Sequence, residues 1–117
     1  MDLEALIDRY EQPAHRGRLP SPPAVTSSST NPRCGDALTM YAQVANGTLS
    51  AVTFEGAGCT LSVAAADLVA ELASGQSAER VRAMRVHDLL QHLGPVQTRL
   101  DCAALGLTTL QRALAGA

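Results

Sequence analysis

The pair Asn46-Gly47 stands between two runs in which apolar and polar residues alternate, and it constrains the fold more than any other feature. Two residues at positive φ make the tightest link between antiparallel strands, and Asn-Gly tolerates that conformation best. Ahead of the pair, Leu38, Met40, Ala42 and Val44 alternate with Ala37, Thr39, Tyr41 and Gln43. Behind it, Leu49, Ala51, Thr53 and Glu55 alternate with Val52 and Phe54. Residues 36–45 and 48–55 are therefore predicted to form an antiparallel hairpin.

From Thr60 the period changes. Leu61, Ala65, Leu68, Val69 and Leu72 fall on one helical face, and Gly75 supplies a C-terminal stop. Ser77 is placed to cap a second short helix carrying Val81 and Met84. A third, with Leu89, Leu90 and Leu93, is predicted to stop at Gly94-Pro95. Leu100, Ala103, Leu107, Leu110 and Leu114 mark a C-terminal helix. Upstream, Leu3, Leu6, Ile7 and Tyr10 predict a short amphipathic helix ended by Pro13. The Pro- and Ser-rich stretch 17–32 reads as a surface loop, with a short edge strand expected around Ala24–Ser28. This order gives an α+β fold, a two-layer domain with helices packed on one face of a small antiparallel sheet.

A length of 117 residues is that of one domain, spanning 1–117, and one core. That core must be aliphatic, because the chain has one Phe, two Tyr and no Trp. A net charge of −2 leaves no footprint for nucleic acid or an anionic membrane. The N-terminus MDLEALIDRYEQ has no apolar stretch of the signal-peptide kind, and nothing approaches the ~18 apolar residues of a membrane span. A cytoplasmic protein with reduced thiols is expected. Its three cysteines are an odd number, which disfavours a disulfide framework.

All three cysteines sit at element termini. Cys34, in NPRCGD, lies in the turn before the first hairpin strand. Cys59 follows Gly56-Ala57-Gly58, where the second strand ends and the long helix begins. Cys102 lies near the start of the last helix, and none is in the middle of an apolar stripe. The gaps of 24 and 42 residues match no local zinc-knuckle spacing, and free cysteines are commonly just small buried hydrophobes. The positions nevertheless favour chemistry. A cysteine at a helix N-terminus faces unpaired N–H groups and the positive dipole end, which lower its thiolate pKa. Gly58 permits close backbone approach, and Gly35 frees the turn beside Cys34. In a strand, i and i+2 share a face, so Cys34 and Asp36 point to one place. Three thiolates and one carboxylate make a four-coordinate set for Zn²⁺ or for iron in a cluster.

NPRCGD at 31–36, GAGCTLSVAAADL at 56–68, RLDCAALGLTTLQRAL at 99–114 and the opening DRYEQPAHRGRL at 8–19 together resemble the U-type iron–sulfur assembly proteins: IscU, SufU and the N-terminal domain of NifU. The resemblance covers nearly the whole chain. It implies an α+β fold that brings the cysteines and the Asp together at one exposed end. It further implies a pyridoxal-phosphate cysteine desulfurase as partner, delivering sulfur as a persulfide, and apo iron–sulfur or carrier proteins as recipients. Cys34, Asp36, Cys59 and Cys102 become the ligands of Zn²⁺ or of a [2Fe–2S] cluster. Cys34 becomes the persulfide acceptor, with Cys102 as the alternative.

The chain departs from each branch of that family. Asp101 stands where IscU proteins have a His, and Leu93-Gly94-Pro95-Val96-Gln97 replaces the Leu-Pro-Pro-Val-Lys segment read by an Hsp70-type chaperone, so the resemblance is incomplete at the residues that carry that interaction. Arg99, three residues before Cys102, matches SufU proteins and is placed to favour the charged form of nearby thiolates. The extra segment that SufU proteins carry between the second and third cysteines is missing.

Asp101 reads as a further oxygen ligand or as an ordinary first-turn acid. His15 reads as a loop residue and not as a ligand, His87 and His92 as exposed helix residues, and Arg33 as a neighbour of Cys34 or a plain surface residue. Two other functional classes remain open: a thiol-dependent enzyme using Cys59, which needs a general base, and a structural zinc protein.

Overall fold

The computed structural model of the chain describes residues 1–32, 35–93 and 100–115. The element order is α1 (Leu3–Glu11), β1 (Val25–Asn31), β2 (Asp36–Ala45), β3 (Thr48–Ala57), α2 (Thr60–Ala73), α3 (Ala78–Ala83), α4 (Val86–Leu93) and α5 (Leu100–Ala115). The three strands form an antiparallel meander in the order β1-β2-β3. The helices cover one face, which is the α+β arrangement expected. Among the described residues no helix is long and apolar enough to cross a membrane.

The hairpin closes on Asn46 and Gly47 at φ 54° and 78°, as Asn-Gly predicts. One expectation for β3 fails. Strict alternation puts Leu49 on the face of Ala51 and Thr53, yet Leu49 is buried along with Val52 and Phe54. The register explains this: Gln43 pairs with Ala51 but Val44 pairs with Leu49, so Ser50 is an extra, bulged residue. Its hydroxyl donates to the Gln43 carbonyl. A bulge shifts the parity of a strand by one, and so both sets of apolar residues reach the core.

A second correction concerns the stretch read as a loop. The edge strand β1 runs from Val25 to Asn31, longer than Ala24–Ser28, and pairs Asn31 with Asp36. Alternate residues Val25, Ser27 and Ser29 are half-buried while Thr26, Ser28 and Thr30 are exposed, so short hydroxyl side chains replace the apolar ones that a strand reading looks for. The opposite sheet edge is covered by the opening segment. Gly17 N–H donates to the Phe54 carbonyl at 2.8 Å and Phe54 N–H to the His15 carbonyl at 3.1 Å. The Arg16 guanidinium lies over the Phe54 ring.

Helix α2 is the centre of the molecule. Its residues from Leu61 to Ala70 are all buried, not only the stripe predicted. The Ala64-Ala65-Ala66 run lets α5 approach closely, with Gly106 over Ala66. Ser74 and Gly75 (φ +84°) end the helix, and the Ser77 side chain caps α3 through Arg80 N–H, both as read from the sequence. On α5, Ala103, Leu107, Leu110 and Leu114 are buried, but Leu100 is exposed. The predicted stop at Gly94-Pro95 lies outside the described residues.

Inside α2 sits an acid, Asp67, which is 2% exposed. Its Oδ2 accepts from Arg9 of α1 at 2.8 Å, and its Oδ1 accepts from the His15 backbone N–H at 2.8 Å. The His15 ring Nδ1 lies 3.3 Å from the same oxygen. This clamp holds a helix that itself buries no residue. Asp67→Ala is expected to cost roughly 2–3 kcal/mol, the range for losing hydrogen bonds to a charged group. Urea unfolding checks the magnitude. Amide hydrogen exchange is expected to rise first in α1, and unchanged protection there would show that α1 is held some other way.

Candidate metal centre

Three chain segments distant in sequence converge at one end of α2. Cys59 is its N-cap: the backbone there is extended (φ −69°, ψ 164°), and Sγ accepts from Ser62 N–H at 3.4 Å. A thiol so placed meets the positive end of the helix dipole, as expected from the sequence. Asp36 opens β2, and its carboxylate crosses to the same place. Oδ1 accepts from Cys59 N–H at 2.8 Å, and Oδ2 accepts from the Ser62 hydroxyl at 2.6 Å. Cys102 arrives on the first turn of α5.

The Cys59 and Cys102 sulfurs and a carboxylate oxygen of Asp36 all lie within 4.8 Å of one another. Neighbouring donors around a tetrahedral ion with ~2.3 Å metal–sulfur bonds are about 3.8 Å apart, so small side-chain movements would bring these three within reach of one ion. Two soft thiolates and one oxygen suit Zn²⁺ or iron and not Mg²⁺ or Ca²⁺. The donor set fits a metal.

Gly58 makes the convergence possible. A Cβ there would lie 2.5 Å from Asp36 Oδ1, so a side chain would displace the carboxylate. Asp36 itself is 2% exposed, and a buried carboxylate needs such donors as Cys59 N–H and Ser62 O–H.

Of the residues expected in the site, Asp36, Cys59 and Cys102 are brought together. Cys34 and Arg99 lie outside the described residues, as do Arg33 and the stretch from Gly94 to Gln97. Cys102 is fully buried and packs in the hydrophobic core. Of these three donors, only Cys59 is part-exposed. Asp101 is not among the clustered donors. Its Oδ2 accepts from Asn31 Nδ2 at 3.2 Å, and the same amide lies 3.7 Å from Cys102 Sγ. His15 faces Asp67. His87 and His92 are exposed, as read from the sequence.

Two participants were missed, Ser62 and Asn31. The signal for Ser62 was its place three residues after an N-cap, where a side chain turns back toward the cap. Asn31 had no comparable signal, since its role comes from the pairing of β1 with β2.

The model of the NifU-like N terminal domain family matches residues 2–116. The chain belongs to this family. Among similar proteins, an "Iron-sulfur cluster assembly scaffold protein IscU" of Thermotoga maritima is 35% identical over 81 residues, 69% of this chain and 56% of that protein. A "Zinc-dependent sulfurtransferase SufU" of Bacillus subtilis is 24% identical over 131 aligned positions, 96% of this chain and 88% of that protein. The same fold is seen in the N-terminal NifU-like protein of Brucella abortus, with TM-score 0.76 at 19% identity over 94% of this chain and 89% of that one. A protein of Fervidobacterium islandicum described as a "Putative iron-sulfur cluster assembly scaffold protein for SUF system" has TM-score 0.75 at 22% identity, over 95% of this chain and 94% of that one. Family members thus share the fold at low identity, and the helix-capped cysteine lies inside the matched region.

Proposed function

We propose that this protein is an iron–sulfur cluster assembly scaffold and sulfur acceptor, taking persulfide sulfur from a pyridoxal-phosphate cysteine desulfurase. The observation that carries this reading is the gathering of Asp36, Cys59 and Cys102 within 4.8 Å from three separate elements. The names of relatives from both branches, scaffold and zinc-dependent sulfurtransferase, support it. Cys34, two residues before Asp36 in the chain, is proposed as the fourth ligand. Arg99 is proposed to favour the charged form of the nearby thiolates.

A bound Zn²⁺ keeps the ligating thiols deprotonated and supplies no redox chemistry. A [2Fe–2S] cluster on the same residues is cargo to be handed on. In the transfer step, an acceptor thiolate attacks the terminal sulfur of the desulfurase persulfide. A new S–S bond forms, the old one breaks, and the desulfurase cysteine leaves as its thiolate, so no oxidant is needed. Full burial sets Cys102 against the acceptor role, and Cys34 is proposed for it. Asp36 and Ser62 hold the site while Cys59, part-exposed, stays within reach of a partner. The thiol-enzyme reading lacks its base: among the described residues, the side-chain partner of Cys59 Sγ is Ser62 and not a histidine.

The test is metal and acid-labile sulfide content per chain after purification without oxygen. One tightly held Zn²⁺ with no sulfide is expected for a transfer role, and iron with matching sulfide for a scaffold role. A chain that takes up neither, even after supply of zinc, or of iron with desulfurase and cysteine, overturns the shared-site reading.

A further inference from the structure

We propose that Ser62 is a positioning residue that sets the metal affinity of the centre through Asp36; this rests on the metal-site reading above. Ser62 is fully buried on the first turn of α2 and touches two of the clustered donors. Its hydroxyl donates to Asp36 Oδ2 at 2.6 Å, and its oxygen lies 3.3 Å from Cys59 Sγ. The shorter distance is that of a charge-assisted bond, so the proton is committed to the carboxylate.

With Oδ1 held by Cys59 N–H and Oδ2 by Ser62, the plane of the carboxylate is fixed. Each oxygen keeps a lone-pair site for a cation, since an ionised carboxylate has about four. Among the described residues Ser62 is the donor to Oδ2. Without its hydroxyl, a carboxylate that is 2% exposed loses half of its anchoring. It then turns toward water, away from the two sulfurs. Groups that orient a ligand in this way are typically worth ~10–100-fold in metal affinity.

Ser62→Ala leaves the helix intact on these grounds: alanine is the strongest helix former, and the cap belongs to Cys59. The experiment is a Co²⁺ titration of the whole chain, read by thiolate-to-cobalt absorption and the d–d bands, with dissociation constants from chelator competition. Ser62→Ala is expected to bind Co²⁺ ~10–100-fold more weakly, with altered d–d bands. In an Asp36→Ala background the same substitution is expected to change affinity less than about threefold, because Ser62 acts through that carboxylate. Ser62→Thr keeps the hydroxyl and is expected to stay within about threefold of the unmodified chain.

Equal losses with and without Asp36 would show an effect of Ser62 on the fold or on Cys59 alone, and would overturn the inference. So would wild-type affinity and bands in Ser62→Ala, or a folded Ser62→Thr that binds as weakly as the alanine variant. An unmodified chain without thiolate-to-cobalt absorption would instead sink the metal-site reading, and this inference with it.

Discussion

Gly56→Ala is expected to destabilise the protein by roughly 3 kcal/mol or more, which is a large part of the ~5–15 kcal/mol that holds a domain of this size. Gly56 has φ +123°, a region that residues with a Cβ rarely adopt. It also lies opposite Leu38 in the β2–β3 register. A Cβ there would fall 2.1 Å from the Ala37 carbonyl oxygen and 3.1 Å from Leu38 Cα. These are backbone atoms, so no side chain can swing aside, and β3 must separate from β2 or change its φ. Either response occurs two residues before Gly58 and three before Cys59, so the metal centre is expected to loosen together with the sheet. Thermal unfolding is expected to shift down by on the order of 10 °C. A variant that melts with the unmodified chain would mean that this strand end tolerates a Cβ and that glycine is not required at position 56.

Cys59→Ser separates the metal from the fold. Cys59 caps α2 through Sγ, and serine is among the strongest N-caps, so the helix keeps its cap and stability is expected to change by less than about 1 kcal/mol. The soft thiolate, however, is gone. If partners that only orient a ligand are worth 10–100-fold, losing the ligand itself is expected to weaken Zn²⁺ binding by ~100-fold or more. Competition with a chromophoric chelator measures this, and the melting temperature of the metal-free chain confirms that the fold persists. Unchanged zinc affinity in a folded Cys59→Ser chain would place the metal elsewhere.

Much of the fold was legible in the residues because local conformation is written locally. Asn46-Gly47, the alternation of β2, the cap at Ser77 and the stop at Gly75 each specify backbone angles within a few residues, and all were found where read. The failures share one cause. The bulge at Ser50, the strand built from Val25 to Asn31 and the burial of α2 on all sides depend on what lies across from each element, not on the element itself. A period of two cannot announce where it slips, and hydroxyl residues look like loop until a neighbouring strand pairs with them.

The same division holds for the candidate site. The sequence by itself determined the kinds of donor and their placement at element termini: a cysteine at a helix N-terminus, an aspartate at a strand start and small residues between. Those are properties of short segments, set by the preferences of Gly, Asn and the capping residues. Only the tertiary structure decided that Asp36, Cys59 and Cys102 share a space of 4.8 Å, that Cys102 is buried, that Ser62 holds the carboxylate, and that Asp67 ties α1 to α2. These partners stand 23 to 66 residues apart in the chain, apart from Ser62 and Cys59, so no local preference brings them together. Packing α2 and α5 against one sheet face does, because burial of apolar surface fixes where the polar ends of those elements must meet.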